Sequence, residues 1–348
     1  MRLDEIMSLR ATVGAGLLVT ATDRCPLHCA HCSSASTLRG RDLDTERLLT
    51  FLRGCGTADR PEVVLFTGGE PLLRPDLIGA ATEILHAIGA KVAVLTGAFF
   101  LRGNRIPAPI RELIPRLDQV SVSLDVFHER EVARARVFDL LRLLLELGVA
   151  TSLHVVGDDP YLAEATDAVT AEFGPAVPML VSEVRAVGRA KQWLTAREPD
   201  APGIAPCAMA AWPVITADGV ITACCNQDVV DGRARPRHLV LGSVQANTWP
   251  VIRDRLSRQP LLRVIRAVGP DYLAGSCGDT SGSDTCARCQ RFGASTEAGR
   301  LAARIGAGPV GELLELTAIQ RQTSAGAVGF VRRYGSQKYA ALVGGDST

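Results

Sequence analysis

The chain has 348 residues, of which 47% are hydrophobic, and its 38 basic side chains nearly balance 37 acidic ones. That length supports one large domain with a smaller companion, and the even charge gives a nucleic acid no basic face to bind. The opening MRLDEIMSLR carries acids where an export signal needs an apolar core, and no uncharged apolar run reaches bilayer length, so a soluble cytoplasmic protein with no nucleic-acid or membrane partner is expected.

In chain order, short apolar runs alternate with segments of helical periodicity. GLLVTAT (16–22) is strand-like, and DTERLLTFLRGCG (44–56) has helical spacing and ends on glycine. EVVLFTGGEP (62–71) reads as a strand entering a glycine turn, followed by a helix over 76–90, a strand over 91–99 and a helix over 110–118. QVSVSLD (119–125) is a strand, 135–148 a helix, VATSLHVV (149–156) a strand, 161–174 a helix and 178–188 a last strand. About six βα repeats of this kind predict a parallel sheet, open or curled into a barrel. Near 195 the texture changes to a Pro- and Ala-rich linker, TAREPDAPGIAPCA. Short strands follow (WPVITADGVITACC), then a helix, then the polar loop SCGDTSGSDTCARC, and from 299 a helical tail.

The ten cysteines are clustered: Cys25, Cys29 and Cys32, then Cys55, then six between Cys207 and Cys289. In a reducing compartment such clusters argue for metal or redox chemistry over disulfides. The first three fall just past the first strand, at the end of a parallel sheet where sites are built. A structural zinc ion would want four ligands. His28 and His31 are the nearby extras, but wrapping a tetrahedral site inside eight residues is awkward. Cys55, after the first helix, lies at the opposite end of the sheet and reads as structural.

CPLHCAHC (25–32) resembles the signature of the radical S-adenosylmethionine (SAM) superfamily, with His31 where that family often has an aromatic residue. The resemblance implies a partial (β/α)6 TIM-like α/β barrel over 13–195 and a 4Fe–4S cluster on Cys25, Cys29 and Cys32. SAM would chelate the free iron and be cleaved reductively to a 5′-deoxyadenosyl radical. FTGGEP, after the second strand, matches that family's next motif: Gly68 and Gly69 would let backbone approach a ligand, and Glu70 would accept from the SAM ammonium. Ser123 and Asp125 in VSVSLD are further candidates for SAM contact, with N-cap or turn roles as the alternative. Thr96, His154 and Arg185 hold comparable strand-end positions.

Cys207, eleven residues, Gly219, four residues and Cys224, followed by Cys286-x2-Cys289, resembles the opening of SPASM and twitch extensions. It implies one auxiliary 4Fe–4S cluster on Cys207, Cys224, Cys286 and Cys289 within a small domain over 196–298. Six cysteines after residue 200 are too few for the two auxiliary clusters of a full SPASM domain. Structural zinc is the alternative metal. Cys225 or Cys277 stand as alternative ligands, and Cys277 is also a candidate hydrogen-atom donor of the epimerase type. The tail over 299–348 is expected to be helical.

The resemblance implies an enzyme that abstracts a hydrogen atom from a ribosomal peptide or an aminoglycoside-like small molecule, leading to epimerisation, oxidation or crosslinking. Cofactor maturation and a non-catalytic zinc protein are the alternatives. Implied partners are the substrate and an electron donor such as flavodoxin or ferredoxin. Roughly two dozen residues precede Cys25, so a leader-binding domain is expected to be absent and a separate leader-peptide-binding protein would supply that role.

Overall fold

A computed structural model describes residues 1–103, 105–195, 204–279, 281–282 and 284–344. The Pro-rich linker expected near 195 falls largely on 196–203, outside the described residues. Before it the order is α1 (Leu3–Ser8), β1 (Gly16–Thr22), α2 (Thr45–Arg53), β2 (Val63–Gly68), α3 (Pro75–Ala87), β3 (Lys91–Thr96), α4 (Ala108–Leu113), β4 (Gln119–Asp125), α5 (Arg134–Glu146), β5 (Ala150–Gly157), α6 (Asp159–Phe173) and β6 (Met179–Glu183). After it come β7 (Val214–Ile215), β8 (Val220–Thr222), α7 (Gln227–Val230), β9 (Val240–Ser243), α8 (Trp249–Arg258), α9 (Pro260–Ala267), α10 (Pro270–Ser276), α11 (Thr285–Arg291), α12 (Thr296–Gly306), α13 (Gly308–Ser324) and α14 (Gly326–Tyr334).

Helix starts are written locally. The Asp44 side chain accepts from the Arg47 N–H at 3.0 Å and Asp158 from the Tyr161 N–H at 3.2 Å, so α2 and α6 begin on carboxylate caps. β1 to β6 pair in parallel in sequence order. The sheet runs β6-β5-β4-β3-β2-β1-β7-β8-β9, so the barrel is not closed. The short strands expected in a separate small domain extend this same sheet: β7 pairs parallel with β1, and β8 and β9 follow antiparallel. Without β7, β1 would be an open edge beside the cysteine loop.

Both faces of the parallel part are covered. Alternate residues Leu17, Val19, Val64, Phe66, Val92, Val94, Val120 and Val122 pack outward with helical residues such as Leu48, Ile78 and Leu141. The other face, carrying Leu18, Val63 and Ala93, packs on Leu3 and Ile6 of α1, Trp212, and Ala327 and Val331 of α14. The helical tail is therefore part of the inner filling. Its Ser336 N–H donates to the Val181 carbonyl at 2.8 Å, covering the edge strand β6. Further along β4 and β5 the inner residues become polar. Gln119 donates to Ser152, and Ser152 donates to Ser121, a buried hydrogen-bonded layer beneath the strand exits. Among the described residues no helix is long and apolar enough to cross a membrane.

Trp212 anchors this inner filling. It is fully buried, its Nε1 donates to the Leu9 carbonyl at 3.1 Å, and the Arg10 guanidinium lies 4.4 Å from its ring centroid. Trp212→Ala is expected to cost about 3–5 kcal/mol of unfolding free energy, read as a lower urea midpoint at unchanged slope.

Candidate functional site

The segment after β1 leaves the sheet as a loop closed at its base. A parallel bridge joins Arg24 to Thr37, and the Cys25 N–H donates to the Thr37 carbonyl at 3.0 Å. Within the loop, the Cys32 N–H reaches the Cys29 carbonyl at 3.1 Å. Cys25 is buried, while Cys29 and Cys32 are half-buried.

Outside donors bond to five of the loop's carbonyls. Arg189, in the short turn Gly188–Gln192 after β6, donates from its backbone N–H to the Cys32 carbonyl at 3.0 Å. Its Nε donates to the Cys29 carbonyl at 2.9 Å and an Nη to the Ser36 carbonyl at 2.8 Å. Trp193 Nε1 adds a bond to the Ala30 carbonyl at 3.2 Å, and Arg102 one to Pro26 at 3.1 Å. Gly188 has φ +54°, and a Cβ there would run into the Cys32 and Ser33 carbonyls. A glycine is what lets this strap lie on the cysteine loop.

The strand exits are wired to one another beneath the loop. Glu70 is fully buried, and its carboxylate accepts from the Leu72 N–H (3.0 Å), the Thr96 hydroxyl (2.8 Å) and the Gly97 N–H (2.9 Å). Burial pushes its pKa up to about 7 against those three donors. The Gly97 carbonyl meets His128 Nε2 at 2.5 Å, and the His128 N–H donates to Asp125 at 2.7 Å. Asp125 also accepts from the Phe127 N–H, and its other oxygen lies 3.4 Å from His31 Nε2. Burial raises the Asp125 pKa to about 6 and lowers that of His31 to about 4, so at neutral pH the contact is a carboxylate beside a neutral imidazole. His31 stacks on Phe127 with centroids 5.1 Å apart, and Phe127 lies 5.4 Å from Trp193.

Several expected site residues occupy this region. Ser123 pairs with His154 across β4 and β5, and His154 Nε2 lies 3.3 Å from the Ser182 hydroxyl. Burial, then His31, lowers the His154 pKa to about 4. Thr96 and Glu70 are committed to each other. The close approach at Gly68 and Gly69 is to the chain itself, because Cβ atoms there would strike the carbonyls of Thr22 and Arg24. Arg185 is directed elsewhere: it is exposed and donates to the Tyr334 carbonyl at 2.7 Å, tying β6 to the tail. Arg189, four residues on, is the one that reaches the cysteines. Its sequence signal was the Gly-Arg pair beyond the last strand. Phe127 and Trp193 had no signal beyond their aromaticity.

The second set of thiols assembles from three places. Cys207 starts the turn before β7, Cys224 follows β8, and Cys286 and Cys289 share a face of α11 at i, i+3. Burial raises all four, and neighbouring thiols add to it, Cys225 acting on Cys207 and members of the set on Cys224, Cys286 and Cys289; Cys286 reaches about 12 and Cys289 lies well above the ordinary thiol value. Cys225 adjoins the set, but its Sγ lies 3.7 Å from Met209 Sδ and it packs with the inner-face cluster around Trp212. Cys277 ends α10, and the charges acting on it are those of Glu297 and Asp279. Cys55 is buried behind α2. A cavity of about 510 Å³ lies between the strap (Val187, Lys191) and the residues Asn226, Cys286 and Gln290.

These donor sets suit iron–sulfur clusters. Burial pushes Cys25 up to about 11, and burial with Asp125 and the neighbouring thiols pushes Cys29 to about 12. Crowded thiols of this kind become thiolates when a polycationic centre displaces their protons. Among the described residues no group of three or more His, Cys, Asp or Glu side chains is set for a single metal ion.

Comparison with known proteins bears on the part of the chain that carries the first set. Residues 19–167 match the family model described as the Radical SAM superfamily, so this part of the chain is a radical SAM domain. A PqqA peptide cyclase of Streptomyces rochei is 32% identical over 157 residues, 41% of this chain and 40% of that protein. A GTP 3′,8-cyclase of Lactiplantibacillus plantarum is 29% identical over 142 residues, 39% of this chain and 41% of that protein. The match thus spans about two fifths of either relative. The solved structure of native anSMEcpe with bound AdoMet and Cp18Cys peptide has the same fold, with TM-score 0.52 at 12% identity over 87% of this chain and 98% of that one.

Arg189→Met removes two charge-assisted bonds to the loop, each worth about 1.5–3 kcal/mol. The expected outcome is faster hydrogen exchange across residues 25–36 and a lower iron-to-protein ratio after anaerobic reconstitution and desalting, while the urea midpoint moves much less than in Trp212→Ala.

Proposed function

We propose that this chain is a radical SAM enzyme that takes a hydrogen atom from a peptide substrate and carries a second iron–sulfur centre. The observation that carries this is a loop of three thiols at the strand exits, clamped at its carbonyls by the strap after β6, with a second group of four cysteines drawn together elsewhere in the fold. Cys25, Cys29 and Cys32 would hold the first cluster, and Cys207, Cys224, Cys286 and Cys289 the second. Bound there, a reduced 4Fe–4S cluster and SAM supply a 5′-deoxyadenosyl radical able to break an unactivated C–H bond.

The chain's own groups have definable tasks. His31, Phe127 and Trp193 form an aromatic wall that excludes water from the loop's exposed flank. Ser123, Asp125 and His154, at the exits of β4 and β5, are the polar groups offered toward SAM, and Glu70 with Thr96 keeps the β2 and β3 exits in register beneath it. Peptide modification is favoured by the similarity to an enzyme named for a peptide, and the likeness to a nucleotide cyclase makes a small molecule the alternative. A flavodoxin- or ferredoxin-type donor would supply the electron. The similarity to enzymes named as cyclases favours a bond-forming or oxidative outcome over epimerisation.

The test is anaerobic reconstitution followed by dithionite and SAM. The expected result is close to eight irons per chain, by two cubanes of four, and release of 5′-deoxyadenosine that is lost in each of Cys25→Ala, Cys29→Ala and Cys32→Ala. Zinc in the first set, or no 5′-deoxyadenosine, would overturn the reading. With a substrate in hand, Cys277→Ala is expected to keep product formation, and the product should carry no solvent deuterium at the reacting carbon.

A further inference from the structure

Behind Cys207 lies a buried charge cluster that the reaction so far does not use. Arg266 of α9 is 2% exposed. Its Nε donates to Glu315 Oε1 at 2.5 Å and its Nη1 to the Ala210 carbonyl at 3.2 Å, while its Nη2 is buried with no protein partner. Glu315, on α13, is also buried, and its second oxygen takes Arg263 Nε at 3.2 Å. Arg263 has further bonds to the Gly306 and Ser257 carbonyls, and its contact with Glu312 is to an exposed carboxylate at 3.4 Å. Two buried guanidiniums thus share one buried carboxylate, which leaves a surplus positive charge in a place where surplus charge is costly.

The position of that charge points to its counterpart. Ala210 closes the turn that Cys207 opens, and the Cys207 N–H donates to the carbonyl of Ile265, the residue before Arg266. Arg266 is thus fastened to the Cys207 turn by its own side chain and by its neighbour's backbone. Burial lowers its pKa, opposed first by Glu315 and, after the repulsion of Arg263, by the Cys207 thiolate. A buried N–H group without a partner calls for an anion that the protein itself does not provide. Four thiolates around an iron–sulfur centre are such an anion, and one added electron makes it more negative.

Resting on the reading that Cys207, Cys224, Cys286 and Cys289 hold an iron–sulfur centre, we infer that Arg266 is a positioning residue for that centre, whose unpaired guanidinium charge stabilises its one-electron-reduced form and so raises its reduction potential. Glu315 opposes it by offsetting part of the charge. The two residues make predictions of opposite sign, which a merely structural ion pair does not.

The experiment uses the full chain with Cys25, Cys29 and Cys32 changed to Ala, so that one centre remains, reconstituted anaerobically and titrated with dithionite under electron paramagnetic resonance. Arg266→Gln is expected to shift the reduction equilibrium about tenfold toward the oxidised form, roughly 59 mV for one electron, and Arg266→Lys by clearly less. Glu315→Gln, which keeps the side chain's shape, is expected to shift it the other way, and it carries the test if Arg266→Gln does not fold. Unchanged potentials at an unchanged iron count, or shifts of the same sign in both variants, overturn the role of Arg266. Absence of about four irons in the parent protein overturns instead the reading of a second centre on which it rests.

Discussion

A loop that presents three thiols to one point cannot hold itself in shape. Its carbonyls are turned out of any helix or ladder, and its thiols repel one another once ionised. The strap after β6 answers both needs: Arg189 bonds to the carbonyls of Cys29, Cys32 and Ser36 and sets a positive charge beside the thiols, favouring ionised Cys25. The bonds join residues more than 150 positions apart, so the loop's geometry depends on the whole six-strand sheet being assembled. The order of folding is implicit in this. The loop's base closes locally through Arg24 and Thr37, whereas its top is fixed only when β6 has docked.

The sheet serves this loop from below as well. Glu70, Thr96, Gly97, His128 and Asp125 connect the exits of β2, β3 and β4 in one chain of hydrogen bonds that ends beside His31. Such a buried network is costly if half made and stiff if complete. Here Glu70 accepts from three donors, so the floor of the site is fixed relative to the cysteines above it.

Much of the radical SAM domain was legible in the sequence, because a parallel strand buried on both faces writes a continuous apolar run and the cysteine spacing is compact. β1 and β4 fall on the residues their patterns indicated. What was not legible depended on tertiary partners. Arg185 and Arg189 stand four residues apart at the same strand exit, and nothing local says which turns toward Tyr334 and which toward Cys29. Glu70 has an acceptor's chemistry in either role, and only the arrival of Thr96 and Gly97 turns it inward. The hairpin after Cys207 has turn and strand signals, but its pairing with β1 follows from that strand's need for a neighbour. No helix was read over α1, and the tail was read only as helical, yet α1 and α14 supply the apolar surface that packs on the inner sheet face.

The neighbours Cys224 and Cys225 meet different surroundings. Adjacent residues leaving a strand point to opposite sides. Cys224 joins Cys207, Cys286 and Cys289, while Cys225, also close enough to act on Cys207 and Cys286, packs against Met209 and the Trp212 cluster. That cluster is the same inner filling that β1 leans on at Leu18, a few residues before the first cysteine loop. The cavity near Cys286 is bounded on its other side by the strap residues Val187 and Lys191. The turn that clamps the first cysteine loop through Arg189 thus also supplies one wall of the cavity that Cys286 lines, so the two regions are tied through one short segment of chain.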